Sequence, residues 1–263
     1  MSSMKRTLIV GNWKMHLNVQ EASLLVRRLH QHIPTHRSVE VVLAPSMLCL
    51  QPVSMEIDRH KFRLSAQNAY HRDDGAFTGE VSFTMLRELV HYSIIGHSER
   101  RIYFGETLEI VRDKVSAAVR NGIAPIICVG DTAAERANHE SKKVVHDQVV
   151  SALHGLTSQE IDDVVIAYEP IWAISTFGGE VARPEDMQAM LVYIRQVVAD
   201  LFGKQAAEEL RLLYGGSVNQ DTAHSYLELP DCNGALVGSA SLNYQQFANI
   251  VAAGYQANYE KQE

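Results

Sequence analysis

The sequence predicts an α/β fold, a closed (β/α)₈ barrel built as a single domain over residues 1–263, with its core at about 5–255. Short apolar runs rich in Val and Ile recur eight times, and they are near-continuous rather than alternating. Such runs are typical of parallel strands that are buried on both faces. Segments with the apolar period of amphipathic helices separate these runs, and no Gly/Ser-rich or Pro-rich linker divides the chain.

The predicted elements follow the chain in order. The eight apolar runs, taken as strands, cover residues 7–13, 39–44, 62–66, 92–96, 123–130, 164–168, 210–215 and 234–238. Clear helical periodicity covers residues 19–32, 106–120 and 184–202, and the last of these begins Arg-Pro-Glu-Asp, a helix-start pattern. A doubly wound open sheet is the alternative, but that fold usually has a glycine fingerprint after its first strand, and GNWKMH contains none.

Composition restricts the classes of partner. The 263 residues carry a net charge of -7, which argues against a general binder of nucleic acid or membrane surfaces. No apolar run approaches the roughly 18 residues of a membrane span. Three widely spaced cysteines indicate neither a disulfide framework nor a zinc site. We therefore expect a cytoplasmic protein with no nucleic-acid or membrane partner, no metal and no cofactor.

Polar residues that follow the strands are the candidates for chemistry, because the carboxyl ends of parallel strands meet at one face. Asn12 and Lys14 end the first run two residues apart, so both side chains point inward toward the mouth of a barrel. The fourth run is followed by HSERR, in which His97 begins a polar stretch and Glu99 can pair with Lys14 if both strand ends face one mouth. A lone histidine or lysine is more often structural, so the prediction depends on the combination.

The sixth run, VVIAY, ends in Glu169, and Pro170 follows it directly. An ionised carboxylate beside buried apolar surface is costly to the fold, and its poor solvation makes it a stronger base. Pro170 fixes φ and removes a donor, so the chain leaves the strand along a defined path. Because PIWAI is not typical of a helix start, Glu169 is predicted to be a general base rather than a helix cap.

Two small-residue turns, YGGS at 214–217 and GSAS at 238–241, follow the seventh and eighth runs and are predicted to enter helices. Glycine lets backbone N–H groups approach an oxyanion, and helix N-termini add positive potential. The loops after these two strands often form a phosphate site in barrels. Together with a base, a histidine and a lysine, they predict proton abstraction beside the carbonyl of a phosphorylated substrate.

The chain resembles the triosephosphate isomerase family over residues 5–255, in motifs that occur in one order and spacing: GNWKMH, AQNAY with GAFTGEVS, IIGHSERR, AYEPIWAI, YGGSV and GALVGSASL. The resemblance implies a TIM barrel and an aldose–ketose isomerase of glycolysis and gluconeogenesis. Its substrates would be dihydroxyacetone phosphate and D-glyceraldehyde 3-phosphate, interconverted through an enediolate. It also implies a homodimer.

The resemblance further implies a role for each matching residue. Glu169 would shuttle the proton, His97 would be the neutral electrophile, and Lys14 would stabilise the enediolate. Asn12 would orient the carbonyl oxygen, and Glu99 would pair with the lysine. The other implied positions are Ser175, Ser217, Gly238 and Ser239 as phosphate ligands, Pro170, Trp172 and Tyr214 for the hinge and closure of a lid, and Thr78 on loop 68–80 as a contact to the partner subunit.

The chain departs from the family pattern in the lid. Residues 174–177 read Ile-Ser-Thr-Phe instead of Ile-Gly-Thr-Gly, and the segment to Pro184 is longer than usual. Ser239 replaces a second glycine of the phosphate turn, and Asp131 stands where glutamate is common. Two alternatives stay open at this point: an isomerase of a four-carbon tetrulose phosphate, and a phosphate-binding barrel without catalysis.

Overall fold

The computed structural model describes residues 5–35, 37–174 and 181–261. Eight parallel strands pair in chain order and close on themselves, so the predicted (β/α)₈ barrel is confirmed. Closure comes from the pairing of the first strand with the last, in the register Leu8 to Gly234 and Gly11 to Val237. The strands are β1 (Thr7–Asn12), β2 (Val39–Ala44), β3 (Phe62–Ala66), β4 (Tyr92–Ile95), β5 (Ala124–Val129), β6 (Val165–Tyr168), β7 (Arg211–Tyr214) and β8 (Gly234–Val237).

Helices surround the barrel. The predicted helix 106–120 begins later, at Leu108, because the Thr107 side chain accepts the N–H of Ile110 and caps the helix. None of the described helices is both long enough and apolar enough to cross a bilayer. The helices are α1 (Val19–His32), α2 (Met47–Glu56), α3 (Phe83–Leu86), α4 (Ser98–Tyr103), α5 (Leu108–Arg120), α6 (Ala133–Ala137), α7 (Ser141–Leu153), α8 (Pro184–Phe202), α9 (Lys204–Glu209), α10 (Ala223–Leu227) and α11 (Tyr244–Glu260).

Alternation along the strands positions the polar residues at the mouth. On β6, Val165 and Ala167 belong to the cluster inside the barrel, whereas Ile166 packs between the barrel and the helices. Since successive side chains of a strand point to opposite faces, the next inward position is Glu169, directly beyond the strand. The same alternation on β1 brings Asn12 to the inner side of the mouth. The two-residue alternation of side chains along each strand therefore places Asn12 and Glu169 at the same end of the barrel, facing inward.

A buried ion cluster ties α5 to the loop before it. Glu106 accepts hydrogen bonds from Lys114 and Arg100, and Lys114 Nζ also donates to Asn68 Oδ1 at 2.7 Å. Glu106 and Lys114 are 7% and 4% exposed, so neither is solvated when its partner is removed. Burial by itself would raise the pKa of Glu106, but the hydrogen bonds from Lys114 and Arg100 outweigh it and lower that pKa.

Lys114→Met is expected to lower the free energy of unfolding by about 3 kcal/mol, because it removes one partner of a buried charge pair. Urea unfolding followed by circular dichroism would measure the loss. As a matched control, Arg112→Met breaks a more exposed pair with Asp113 and is expected to cost less than about 1 kcal/mol. Equal effects of the two substitutions would contradict a stabilising role for the cluster.

The same cluster predicts the direction of an acid effect. The pKa of Glu106 in the folded state is lower than its ordinary value of 4.5. Its ion pairs therefore contribute stability above the pH at which unfolded glutamate titrates, and this contribution is lost as the pH falls through the lower, folded pKa. We expect the difference in unfolding free energy between Lys114→Met and the parent protein to shrink in that acidic range.

Candidate active site

A cleft of about 340 Å³ opens at the carboxyl mouth of the barrel. The loops after β1, β4, β6, β7 and β8 line it, so residues far apart in the chain meet there. Most of the sequence-predicted site residues line this one cleft: Asn12, Lys14, His97, Glu169, Ser217, Gly238 and Ser239.

The Glu169 carboxylate is held on both oxygens. Its Oε1 lies 3.0 Å from His97 Nε2, and its Oε2 accepts the backbone N–H of Ser98 at 2.9 Å. The Glu169 backbone N–H donates to Val129 O at 2.7 Å, which continues the pairing of β5 with β6 by one residue. Glu169 is only 2% exposed, so this carboxylate sits in a dry environment with a defined orientation.

The hydrogen bonds of His97 determine its tautomer. Its Nδ1 accepts the backbone N–H of Glu99 at 3.2 Å, as the cap of α4. A nitrogen that accepts an N–H carries no proton of its own, so the ring proton is assigned to Nε2. This tautomer is neutral and presents its Nε2–H to the cleft, where Nε2 lies 3.0 Å from Glu169 Oε1.

The Lys14 ammonium is directed into the mouth by its backbone and by Glu99. Lys14 Nζ lies 2.5 Å from Glu99 Oε1. Lys14 has φ of 53°, a left-handed conformation that is strained for a residue with a Cβ and is often found at functional sites. Gln67 Nε2 donates to the carbonyls of Lys14 and Ala44, both at 2.9 Å. Asn12 Oδ1 accepts the backbone N–H of Lys14 at 3.1 Å. These bonds hold the unusual backbone and leave the amide N–H₂ of Asn12 for a ligand.

The two small-residue turns differ from each other. The turn after β8 enters the 3₁₀ turn Ser239–Leu242 directly, as predicted. The turn after β7 does not enter a helix at once, because Asn219 Oδ1 accepts the N–H groups of two following residues and delays α10 until Ala223. The Ser217 hydroxyl instead donates to Ala173 O at 2.9 Å, which ties the β7 turn to the segment after Glu169.

The remaining predicted residues lie around the cleft or away from it. Pro170, with φ of -66°, precedes the 3₁₀ turn Ile171–Ala173, where the sequence predicted no helical start. Tyr214 is fully buried between barrel and helices and does not line the cleft. Thr78 is exposed on its loop. The altered lid residues 175–177, which include Ser175, lie outside the described residues.

Sequence reasoning assigned no role to two residues that contact the site. These are Ser98, whose N–H holds Glu169, and Gln67, which braces Lys14. Both follow strand ends. The rule that polar residues just after a strand are candidates for chemistry (the strand-end rule) was not applied to β3, where Gln67 of the motif AQNAY would have been found. Ser98 acts through its backbone, which a side-chain pattern cannot indicate.

Asp131 was noted in the sequence only as a departure from the family. It is fully buried after β5, and its carboxylate accepts the hydroxyls of Tyr168 and Ser141, both at 2.6 Å. Burial and then the charge of Asp131 raise the pKa of Tyr168. The backbone carbonyl of Asp131 accepts the N–H of Ile171 at 3.0 Å. Asp131 therefore braces the chain on both sides of Glu169.

Gly130 leaves room for the backbone of Glu169. A Cβ at Gly130 would lie 1.8 Å from Glu169 O, a contact that only movement of the backbone relieves. Gly130→Ala is therefore expected to displace the carboxylate, to lower kcat by about 10²-fold, and to cost about 1–3 kcal/mol of stability. Steady-state kinetics and urea unfolding would measure both losses.

Gly254→Ala is the control, because its new methyl meets only side-chain atoms, at 3.3 Å or more. It lies in α11, away from the cleft. We expect it to retain the parent kcat. If Gly130→Ala also retained the parent kcat, the close approach of β5 to Glu169 would have no functional consequence.

Known proteins resemble this chain over nearly its whole length. The sequence model of the family described as triosephosphate isomerase matches residues 7–254. A protein of Carboxydothermus hydrogenoformans named triosephosphate isomerase is 43% identical over 249 residues, which cover 94% of this chain and 98% of its own length. Proteins of the same name from Chloroherpeton thalassium and Dehalococcoides mccartyi are 44% and 40% identical, with 94% of this chain covered in each case and 98% and 96% of their own lengths.

Proposed function

The chain belongs to the triosephosphate isomerase family, and from that membership we propose how its residues interconvert dihydroxyacetone phosphate and D-glyceraldehyde 3-phosphate, the aldose–ketose isomerisation of glycolysis and gluconeogenesis. The observation that carries the proposal is the meeting of Glu169, His97 and Lys14 around one cleft. A base, a neutral N–H donor and a cation on one small site are what proton transfer beside a carbonyl requires.

Glu169 is the proposed base. Its carboxylate takes a proton from C1 of dihydroxyacetone phosphate, and the C–H electrons form the C1–C2 double bond of an enediolate. Returning a proton to C2 and moving one from the C1 oxygen to the C2 oxygen completes the aldose, with no net gain or loss of atoms or electrons. Because Glu169 is only 2% exposed, little water competes with the substrate for its carboxylate.

His97 and Lys14 are the proposed stabilisers of the enediolate oxygens. His97 Nε2 lies 3.0 Å from Glu169 Oε1, so a substrate oxygen has to take the place of that carboxylate oxygen beside the imidazole. The exchange frees Oε1 for the carbon-bound proton and directs the N–H to the developing charge. Lys14 supplies the positive charge, Glu99 holds it in place at 2.5 Å, and the amide of Asn12 orients the carbonyl oxygen.

The phosphate group is proposed to bind between the loops after β7 and β8. The backbone N–H groups of Ser217, Gly238 and Ser239 are its ligands in this proposal, and all three residues line the cleft. Ser175, proposed as a further ligand, lies outside the described residues. Backbone N–H groups at turns of small residues are ready-made anion ligands.

We further propose a homodimer in which loop 68–80 of one subunit enters the other. A second cavity, of about 340 Å³, lies beside Lys14 and Glu99, and Met15 and Phe104 on its rim are 94% and 68% exposed. Thr78 on the exposed loop is the proposed contact to the partner's site. Sedimentation at decreasing protein concentration is expected to show a dimer that dissociates. Activity assays over the same concentrations are expected to show that kcat is lost as it does so. A monomer with full activity would contradict the proposal.

The cytoplasm is the proposed location. The three cysteines Cys49, Cys128 and Cys232 are buried and unpaired, which fits a reducing compartment.

A coupled assay with D-glyceraldehyde 3-phosphate and with erythrulose phosphates tests the substrate. We expect turnover of the three-carbon compound, the substrate in the name of the relatives, and the alternatives are not favoured. Preference for a four-carbon compound would overturn the assignment of substrate. Turnover of neither compound, with binding of inorganic phosphate, would overturn the assignment of catalysis.

A further inference from the structure

Arg136 contacts the segment that carries the proposed base. It lies on α6, in the loop region after β5, and its guanidinium carbon is 3.9 Å from the centre of the Trp172 ring. A guanidinium stacks on an indole face through its own planarity and through attraction to the ring quadrupole. Trp172 follows Glu169 by three residues, so the contact bears on the part of the chain that leaves β6.

The same guanidinium is held from the other side by Asp186. Arg136 Nη2 lies 3.2 Å from Asp186 Oδ2, in the first turn of α8. An acidic side chain is favourable in the first turn of a helix, which helps to fix the carboxylate. Arg183 also pairs with Asp186, at 3.3 Å, but makes no contact with the indole among the described contacts. Arg136 therefore joins α6, the segment after Glu169 and the start of α8.

The segment between Glu169 and Trp172 is short and tightly bonded. Ala173 N–H donates to Pro170 O at 2.7 Å and closes the 3₁₀ turn, while Ile171 N–H donates to Asp131 O at 3.0 Å. A displacement of the indole is therefore passed to the backbone of Glu169 rather than absorbed by a loose loop.

We propose that Arg136 is a positioning residue for Glu169: by clamping the Trp172 indole between α6 and α8, it fixes the direction in which the carboxylate enters the cleft. The inference rests on the proposed function of Glu169 as the base. It does not place Arg136 in contact with substrate, and Arg136 does not line the cleft. Its effect is on turnover rather than on binding of the substrate.

The test combines kinetics with a reporter on Trp172. Arg136→Met removes the charge and the planar group while keeping an unbranched side chain. We expect kcat to fall about tenfold, less than the roughly 10²-fold cost of a 1 Å misplacement, with KM changed less than about twofold. Arg136→Lys keeps the charge but not the planar stack, so we expect an intermediate kcat.

The reporter uses the fact that the chain has two tryptophans. Protein labelled with 5-fluorotryptophan gives two ¹⁹F resonances, which Trp172→Phe assigns. Trp13 is fully buried beside the cleft and serves as the internal reference. Arg136→Met is expected to shift the Trp172 resonance and to leave that of Trp13 in place, a pattern that general loss of stability does not produce.

Arg183→Met is the matched control, since it removes a partner of Asp186 without touching the indole. We expect it to leave kcat and the Trp172 resonance unchanged. An unshifted Trp172 resonance in Arg136→Met, or an unchanged kcat, would overturn the inference, and so would an equal effect of Arg183→Met. A wild-type protein without isomerase activity would instead overturn the proposed function, so the two failures are distinguishable.

Discussion

Glu169→Asp is expected to lower kcat by about 10²-fold or more while the protein keeps its fold. The shorter side chain withdraws the carboxylate by about one C–C bond length, roughly 1.5 Å. The withdrawn oxygens no longer reach both the substrate carbon and the Ser98 N–H, which now lies 2.9 Å from Oε2. Since a proton is transferred over hydrogen-bond distance, a shift of this size is decisive.

The fold itself is expected to tolerate Glu169→Asp, which removes one methylene and costs about 1 kcal/mol in stability. Coupled-assay kinetics and urea unfolding of the same preparation would separate the two effects. Glu169→Gln is the companion variant, because it keeps the length and removes the base, and we expect a loss of about 10²–10⁴-fold. A Glu169→Asp protein with near-normal kcat would rule out Glu169 as the proton-transferring group.

Lys14→Met is expected to lower kcat/KM by about 10²–10³-fold, the usual cost of removing one group that stabilises a developing oxyanion. Met has a similar length and no charge, so the cleft keeps its shape. Glu99, which now lies 2.5 Å from the ammonium, is left without that partner and turns the local potential negative, which opposes binding of a phosphorylated substrate.

Stability and charge can be separated in the Lys14 experiment. The side chains of Lys14 and Glu99 are 22% and 24% exposed, so solvent compensates part of the lost pair, and we expect an unfolding cost below about 2 kcal/mol. The double variant Lys14→Met with Glu99→Gln removes the repulsion but not the need for a cation. If that double variant recovered most of kcat/KM, Lys14 would be needed only to neutralise Glu99, and its proposed role at the enediolate would be wrong.

The strand-end rule found the side chains that line the cleft but not the contacts that orient them. Asn12 ends β1, and Lys14, His97 and Glu169 lie just beyond the ends of β1, β4 and β6, which a parallel barrel brings to one mouth. The neutral tautomer of His97 depends on a backbone N–H from Glu99 to Nδ1. No pattern of side chains indicates such a bond, because it depends on the turn between the two residues.

The turn after β7 shows a second limit of local patterns. YGGS was expected to enter a helix as GSAS does, and the side chain of Asn219 instead forms a turn that postpones the helix to Ala223. Asn competes with the helix by bonding nearby backbone N–H groups, and whether it wins depends on how the following chain packs.

The amino-acid sequence by itself determined the barrel, the chain order of its strands and the inward direction of Asn12 and Lys14, because apolar periodicity and the period of two are local properties of the chain. Only the tertiary structure decided that Glu169 lies beside His97 and accepts the N–H of Ser98, that Gln67 braces Lys14, and that Arg136 joins Trp172 to Asp186. These contacts join residues brought together by closure of the sheet and packing of the helices. Their distances depend on side-chain packing and backbone turns in three dimensions, which spacing along the chain does not specify.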